Sequence, residues 1–127
     1  MADPAVALTV VLAGRLPQLA NGRMHWGTRA VMVKRIKEYA QIRMISQRNS
    51  AHLPPAMEPR RLRITAYVCG RLYDEGNLHA NAKVHEDAAV DAGWLVDDAP
   101  EWCRLEVRQV RVEHRAEQRI EVSVEAR

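Results

Sequence analysis

Apolar and polar positions alternate in four stretches of this chain, and two segments with helical apolar spacing lie among them. Ala5–Leu16 alternates loosely and is rich in Val and Leu, the pattern of a strand. Arg61–Cys69 (RLRITAYVC) alternates polar with apolar and stops at Gly70, which predicts a second strand. Cys103–Glu113 and Gln118–Ala126 set charged residues against Val, Leu or Ile, and predict a hairpin with one wet and one buried face. Between the first two strands, Thr28 is the expected N-cap of a long helix running to about Arg48. Its apolar stripe is Met32/Val33, Ile36, Tyr39/Ala40 and Met44. A second, Ala-rich helix is expected over roughly His79–Ala92, closed by Gly93. Pro17–Gly27, Asn49–Pro59 and Arg71–Asn77 read as loops, and Trp94–Val96 as a re-entry into the core. The predicted order is β-α-β-α-β-β: an α+β domain with a mixed or antiparallel sheet and two helices packed on one face.

At 127 residues the chain is read as one domain, residues 1–127, long enough to bury a real core. Phe is absent and aromatics are 5%, so aliphatic residues, Met and three Trp must fill the interior. No apolar run approaches the ~20 residues of a membrane helix. The apolar N-terminal stretch lacks a basic flank, which argues against a signal peptide. Cys69 and Cys103 lack metal-type spacing and read as buried thiols of a reducing cytoplasm.

Net charge is +3, and its distribution says more than its size. Residues 1–71 hold 12 Lys and Arg against 3 Asp and Glu, a balance of +9; residues 72–127 hold 7 against 13, a balance of −6. A basic half beside an acidic half suits a protein that grips a polyanion with one surface and holds cations with another. Salt-bridged strands beside a solvated helix face would give the same totals.

The acidic residues concentrate at the two ends of the second helix. Asp74 and Glu75 precede it and Asp97 and Asp98 follow it, with Lys83 between them. Crowded carboxylates repel one another and are costly to desolvate. A hard divalent cation relieves that cost, and Mg²⁺ suits a few carboxylates plus a phosphate. Each piece also has a plainer reading. Asp97-Asp98-Ala-Pro is a good turn sequence, Lys83 and Asp87 are spaced as a helix-surface pair, and Glu86 and Asp91 read as solvent-exposed helix residues. His79 and His85 have no third ligand at zinc spacing.

Taken together, Asp74-x-x-Asn77-Leu78, Lys83 with Asp87 four residues on, Asp91-Ala-Gly93 and Asp97-Asp98 resemble the RusA family of Holliday-junction resolvases, most closely its phage-borne branch. The resemblance implies a homodimeric endonuclease that nicks four-way or branched DNA with Mg²⁺, Mn²⁺ being a substitute. The setting it implies is the cytoplasm of a bacterial host, with no membrane partner and a phage or prophage origin. Carried over by position, Asp74, Lys83 and Asp98 are the catalytic residues. Asp74, Glu75, Asp97 and Asp98 are the metal set, and Asn77 orients the loop. The family's second Asp falls on Gly76, which has no side chain; Glu75 is the nearest replacement. Arg23, Arg29, Lys34, Arg35 and Lys37, at and within the first helix, are the candidate contacts to DNA phosphates. Trp26 and His25, among these cations, fit either a DNA contact or the core.

Overall fold

The computed structural model describes residues 7–16 and 25–127. Four strands and two helices follow one another: β1 (Ala7–Ala13), α1 (Trp26–Ser50), β2 (Arg60–Cys69), α2 (Glu75–Asp91), β3 (Cys103–Val112) and β4 (Arg119–Ala126). The element order is the expected one, and the sheet is mixed. Its strand order is β1-β4-β2-β3, with β2 and β3 parallel and β4 antiparallel to both β1 and β2. The parallel pair is joined through α2, the crossover that a parallel connection requires.

The expected hairpin does not form. β2 lies between β3 and β4, so the last two strands never pair. Burial explains the arrangement. β4 buries Ile120, Val122 and Val124 and earns a central place, whereas β3 buries only Cys103 and occupies an edge. The connection steps over the end of β2 through a single 3₁₀ turn (Arg115–Glu117). Gln118 Oε1 accepts from the Cys69 N–H at 3.2 Å on the way. Alternation alone specifies which face of a strand is wet, not which strand lies beside it.

The inner sheet face carries Leu8, Val10, Leu12, Leu62, Ile64, Val68, Ile120, Val122 and Val124, all buried. Ala40 and Met44 of α1 and Leu78, Ala82, Ala88 and Ala89 of α2 join them in one core. Trp94 is fully buried and its indole N–H donates to Met44 O at 2.8 Å, pinning the segment after α2 to α1. Gly93 makes that re-entry feasible. Its φ of +77° ends α2, and a Cβ there would sit 3.2 Å from Pro55.

Both helices start earlier than their apolar spacing suggests. His25, not Thr28, caps α1, its Nδ1 accepting from Gly27 N–H at 3.2 Å. Asp74 caps α2, which begins at Glu75, four residues ahead of the expected start. The α1 stripe is buried only at its far end: Ala40 and Met44 are the buried residues, while Tyr39 is 45% exposed. None of residues 26–39 is buried. Among the described residues no helix is long and apolar enough to cross a membrane.

Candidate functional site

The loop before α2 is fixed by β3. Gln109 Nε2 donates to Tyr73 O at 2.7 Å while its Oε1 accepts from Tyr73 N–H at 3.0 Å. The Tyr73 hydroxyl donates to Leu16 O at 2.7 Å and accepts from Arg15 Nε at 3.0 Å. With Tyr73 clamped from both sides, Asp74 stands at a defined position at the N-terminus of α2. Its Oδ1 accepts from the Asn77 backbone N–H and its Oδ2 from the Asn77 side-chain amide, both at 2.9 Å. Asp74 is therefore the helix cap, satisfying donors that would otherwise lack partners. The Asn77 side-chain amide grips the Asp74 carboxylate, where a bond to the backbone was expected. Glu75 is exposed in the first turn, where a carboxylate is favoured by the helix dipole.

Two and a half turns further along α2, Lys83 is the hub of the acidic residues. Its Nζ lies 2.6 Å from Asp98 Oδ2, 2.9 Å from Glu86 Oε1 and 3.3 Å from Asp87 Oδ1. Partial burial works against the Lys83 charge. The hydrogen bonds to Asp98 and Glu86 outweigh it, and the pKa is raised above the ordinary lysine value. The same bond to Lys83 holds the Asp98 carboxyl below its usual range. Glu86 is not the exposed residue its sequence context suggests. Its side chain is 6% exposed, and its second oxygen, Oε2, accepts from the Cys103 thiol at 3.8 Å. Burial, then the neighbouring Glu86, pushes that thiol up to about 11. The signal for Glu86 was present: Ala82, Glu86 and Ala89 follow a four- and three-residue spacing on the buried face of α2. Gln109 gave no such signal, because its role depends on which strand neighbours β2.

The donor set of Asp74, Glu75, Asp97 and Asp98 is all hard carboxylate oxygen, and all four residues are exposed. Among the described residues, no group of three His, Cys, Asp or Glu side chains converges as a metal site. Asp74 and Lys83, the residue that meets Asp98, are nine positions apart on one helix, roughly 13 Å along its axis. Among the described residues these carboxylates form no closed protein cage. Mg²⁺ is commonly held by one or two carboxylates together with a substrate phosphate, and the exposed carboxylates fit that looser mode.

The basic residues of α1 do not form one row. Arg29, Lys34 and Lys37 line a shallow groove with Trp26, Ala30 and Val33. Arg35 lines another, with His25, Val31, Met32 and Ile36. Lys37 is tied to Asp91 of α2 at 2.7 Å. Arg23 lies outside the described residues. Trp26 is 78% exposed, which removes the core reading for it. Asp87 is half-exposed against Lys83, as a helix-surface pair would be. His85, by contrast, is buried in α2 with no hydrogen-bond partner for Nδ1.

No family model and no curated protein matches this chain. The likeness to RusA resolvases consequently rests on the motif residues themselves.

Proposed function

We propose that this chain is a Mg²⁺-dependent, structure-selective endodeoxyribonuclease of RusA type, which cuts four-way and related branched DNA by paired nicks. One observation carries the reading: the Lys83 ammonium lies 2.6 Å from Asp98, fifteen residues away in sequence. These are two of the three residues that the resemblance to RusA implies are catalytic. Mg²⁺ would be held together with a substrate phosphate by Asp74 and Glu75 at one end of α2 and by Asp97 and Asp98 beside Lys83. Once bound, that ion supplies Lewis-acid polarisation of a phosphodiester and a hydroxide near neutral pH. Lys83 keeps a fixed positive charge beside Asp98, where it offsets negative charge building on phosphoryl oxygens. Asn77 holds Asp74 in one orientation. Arg29, Lys34 and Arg35 contact phosphates without reading bases, as selection by shape requires.

A four-way junction has two-fold symmetry, and a C₂ homodimer would present two matched sites. The setting proposed is the cytoplasm of a bacterial host carrying a phage or prophage.

The test is a labelled four-way junction titrated with protein in Mg²⁺ and then Mn²⁺. Paired nicks in the wild type, lost in Asp98→Asn with junction binding retained, are the expected result. Absence of junction binding at low salt would overturn the reading. A second reading is favoured by Gly76 and by the engagement of both Asp74 oxygens with Asn77. It is a junction-binding protein of the same fold with weakened or lost cleavage, and tight binding without nicks in either metal would select it.

A further inference from the structure

We infer that Glu86 is a positioning residue, which holds the Lys83 ammonium against Asp98 and is itself held by the thiol of Cys103. The inference deepens the nuclease reading and rests on it for its functional consequence, though not for its geometry.

A carboxylate on the buried face of a helix is costly unless it is paired. Glu86 has two partners, one for each oxygen: Lys83 Nζ at 2.9 Å on Oε1 and Cys103 Sγ at 3.8 Å on Oε2. Cys103 opens β3 and is buried, so this end of the chain of contacts is anchored in the sheet. Lys83, by contrast, is half-exposed, and so are Asp87 and Asp98. A lysine carries four rotatable bonds and loses considerable entropy when fixed by exposed partners alone. The buried contact is therefore the one that fixes where the ammonium sits. The line Cys103–Glu86–Lys83–Asp98 links the edge of the sheet, α2 and the acidic turn. Glu86 acts on Asp98 through Lys83.

The chain contains three lysines, Lys34, Lys37 and Lys83, which makes the test internal. Competitive acetylation of the folded protein, read by mass spectrometry, compares Lys83 with the exposed Lys34. In the wild type Lys83 should react roughly tenfold more slowly than Lys34, the worth of one charge-assisted hydrogen bond. Glu86→Gln should close part of that gap, and Cys103→Ala a smaller part of it. The Lys37-to-Lys34 ratio should stay constant in both. A Lys83 reactivity in folded Glu86→Gln equal to the wild-type value overturns the inference. If Glu86→Gln does not fold, Cys103→Ala decides alone, and an unchanged Lys83 reactivity there overturns it equally. On a junction in Mg²⁺, Glu86→Gln should lower the nicking rate by roughly tenfold with unchanged junction affinity; an equal loss of both would mean a general structural role and would also overturn it. A wild type that neither binds nor nicks junctions removes the nuclease reading, while the acetylation ratios still decide the role of Glu86.

Discussion

Lys37 on α1 and Asp91 at the end of α2 face each other with Nζ 2.7 Å from Oδ2. The hydrogen bond to Asp91 raises the lysine's pKa. The pair bridges the two helices above the core, at side chains 36% and 44% exposed. Exposure of that degree keeps its worth small, below about 1 kcal/mol. It nevertheless separates Lys37 from the other cations of α1.

A salt titration of junction binding should therefore divide the basic residues into two groups. Arg29→Ala and Arg35→Ala should each reduce the slope of log affinity against log salt by roughly one unit. Lys37→Ala should reduce it by clearly less, because Asp91 already neutralises that charge. A Lys37/Asp91 double-mutant cycle in urea should return a coupling below about 1 kcal/mol. Equal slopes for all three variants would show that Asp91 releases Lys37 to DNA.

Asp74 combines a structural duty with the proposed catalytic one, and substitutions can separate them. Asn is as good a cap as Asp, so Asp74→Asn should leave urea stability within a few tenths of a kcal/mol. Asp74→Ala should cost about 1 kcal/mol. Both should abolish nicking in Mg²⁺. If Asp74→Asn cuts at the parental rate, the residue is only a cap.

The contrast between what the chain's pattern revealed and what it hid follows from range. The strand at Arg61–Cys69 and the glycine stop at Gly93 depend on neighbours close in sequence, and both were legible. The contact between Lys83 and Asp98 spans fifteen residues, and only the resemblance to RusA, not the spacing, put the two residues in one site. The hairpin expectation failed because alternation does not choose a strand's neighbours: β4 buries Ile120, Val122 and Val124 at the centre, while β3 leaves Leu105 and Val110 exposed at the edge. The α1 stripe is buried only at Ala40 and Met44 for a related reason: a helical period says which positions share a face, not how much of that face meets anything. Asp74 as cap was missed because a helix begins where its first donors find partners, ahead of its first apolar residue.

His85 makes the protein acid-sensitive. Burial pushes its imidazole down to about 4, against 6.5 for the free side chain, and Nδ1 has no partner to compensate a charge. Protonation is therefore confined to the unfolded chain between those two values. The unfolded state binds more protons there, so stability is unaffected above pH 6.5 and falls as pH drops from 6.5 towards 4. The loss should reach roughly 3 kcal/mol at most. Stability curves in urea at pH 7.5, 6, 5 and 4.5 should show that slope in the wild type. The difference between wild type and His85→Leu should isolate it. A parallel pH profile for the two proteins would place the acid sensitivity elsewhere.

Gly76 is the position where the chain departs most from the RusA motif, and its surroundings permit a direct repair. It lies in the first turn of α2 with ordinary negative φ, since the positive-φ glycines are Gly14, Gly70 and Gly93. A Cβ added there meets Asp74 Oδ1 at 3.6 Å, an ordinary contact. Gly76→Asp should consequently fold. Replacing Gly in a helix and adding a carboxylate near its N-terminus favour the variant, while the nearby Asp74 charge opposes it. The net change in urea stability should stay within about 0.5 kcal/mol. If the carboxylates around α2 serve as an under-supplied Mg²⁺ set, the added oxygen should raise junction nicking on the order of tenfold. Asp98→Asn placed on the same background should abolish the gain, tying it to the acidic turn. A folded Gly76→Asp with no faster nicking would mean that position 76 is not the gap in the metal set. A gain that survives Asp98→Asn would separate the new carboxylate from the Lys83–Asp98 pair altogether.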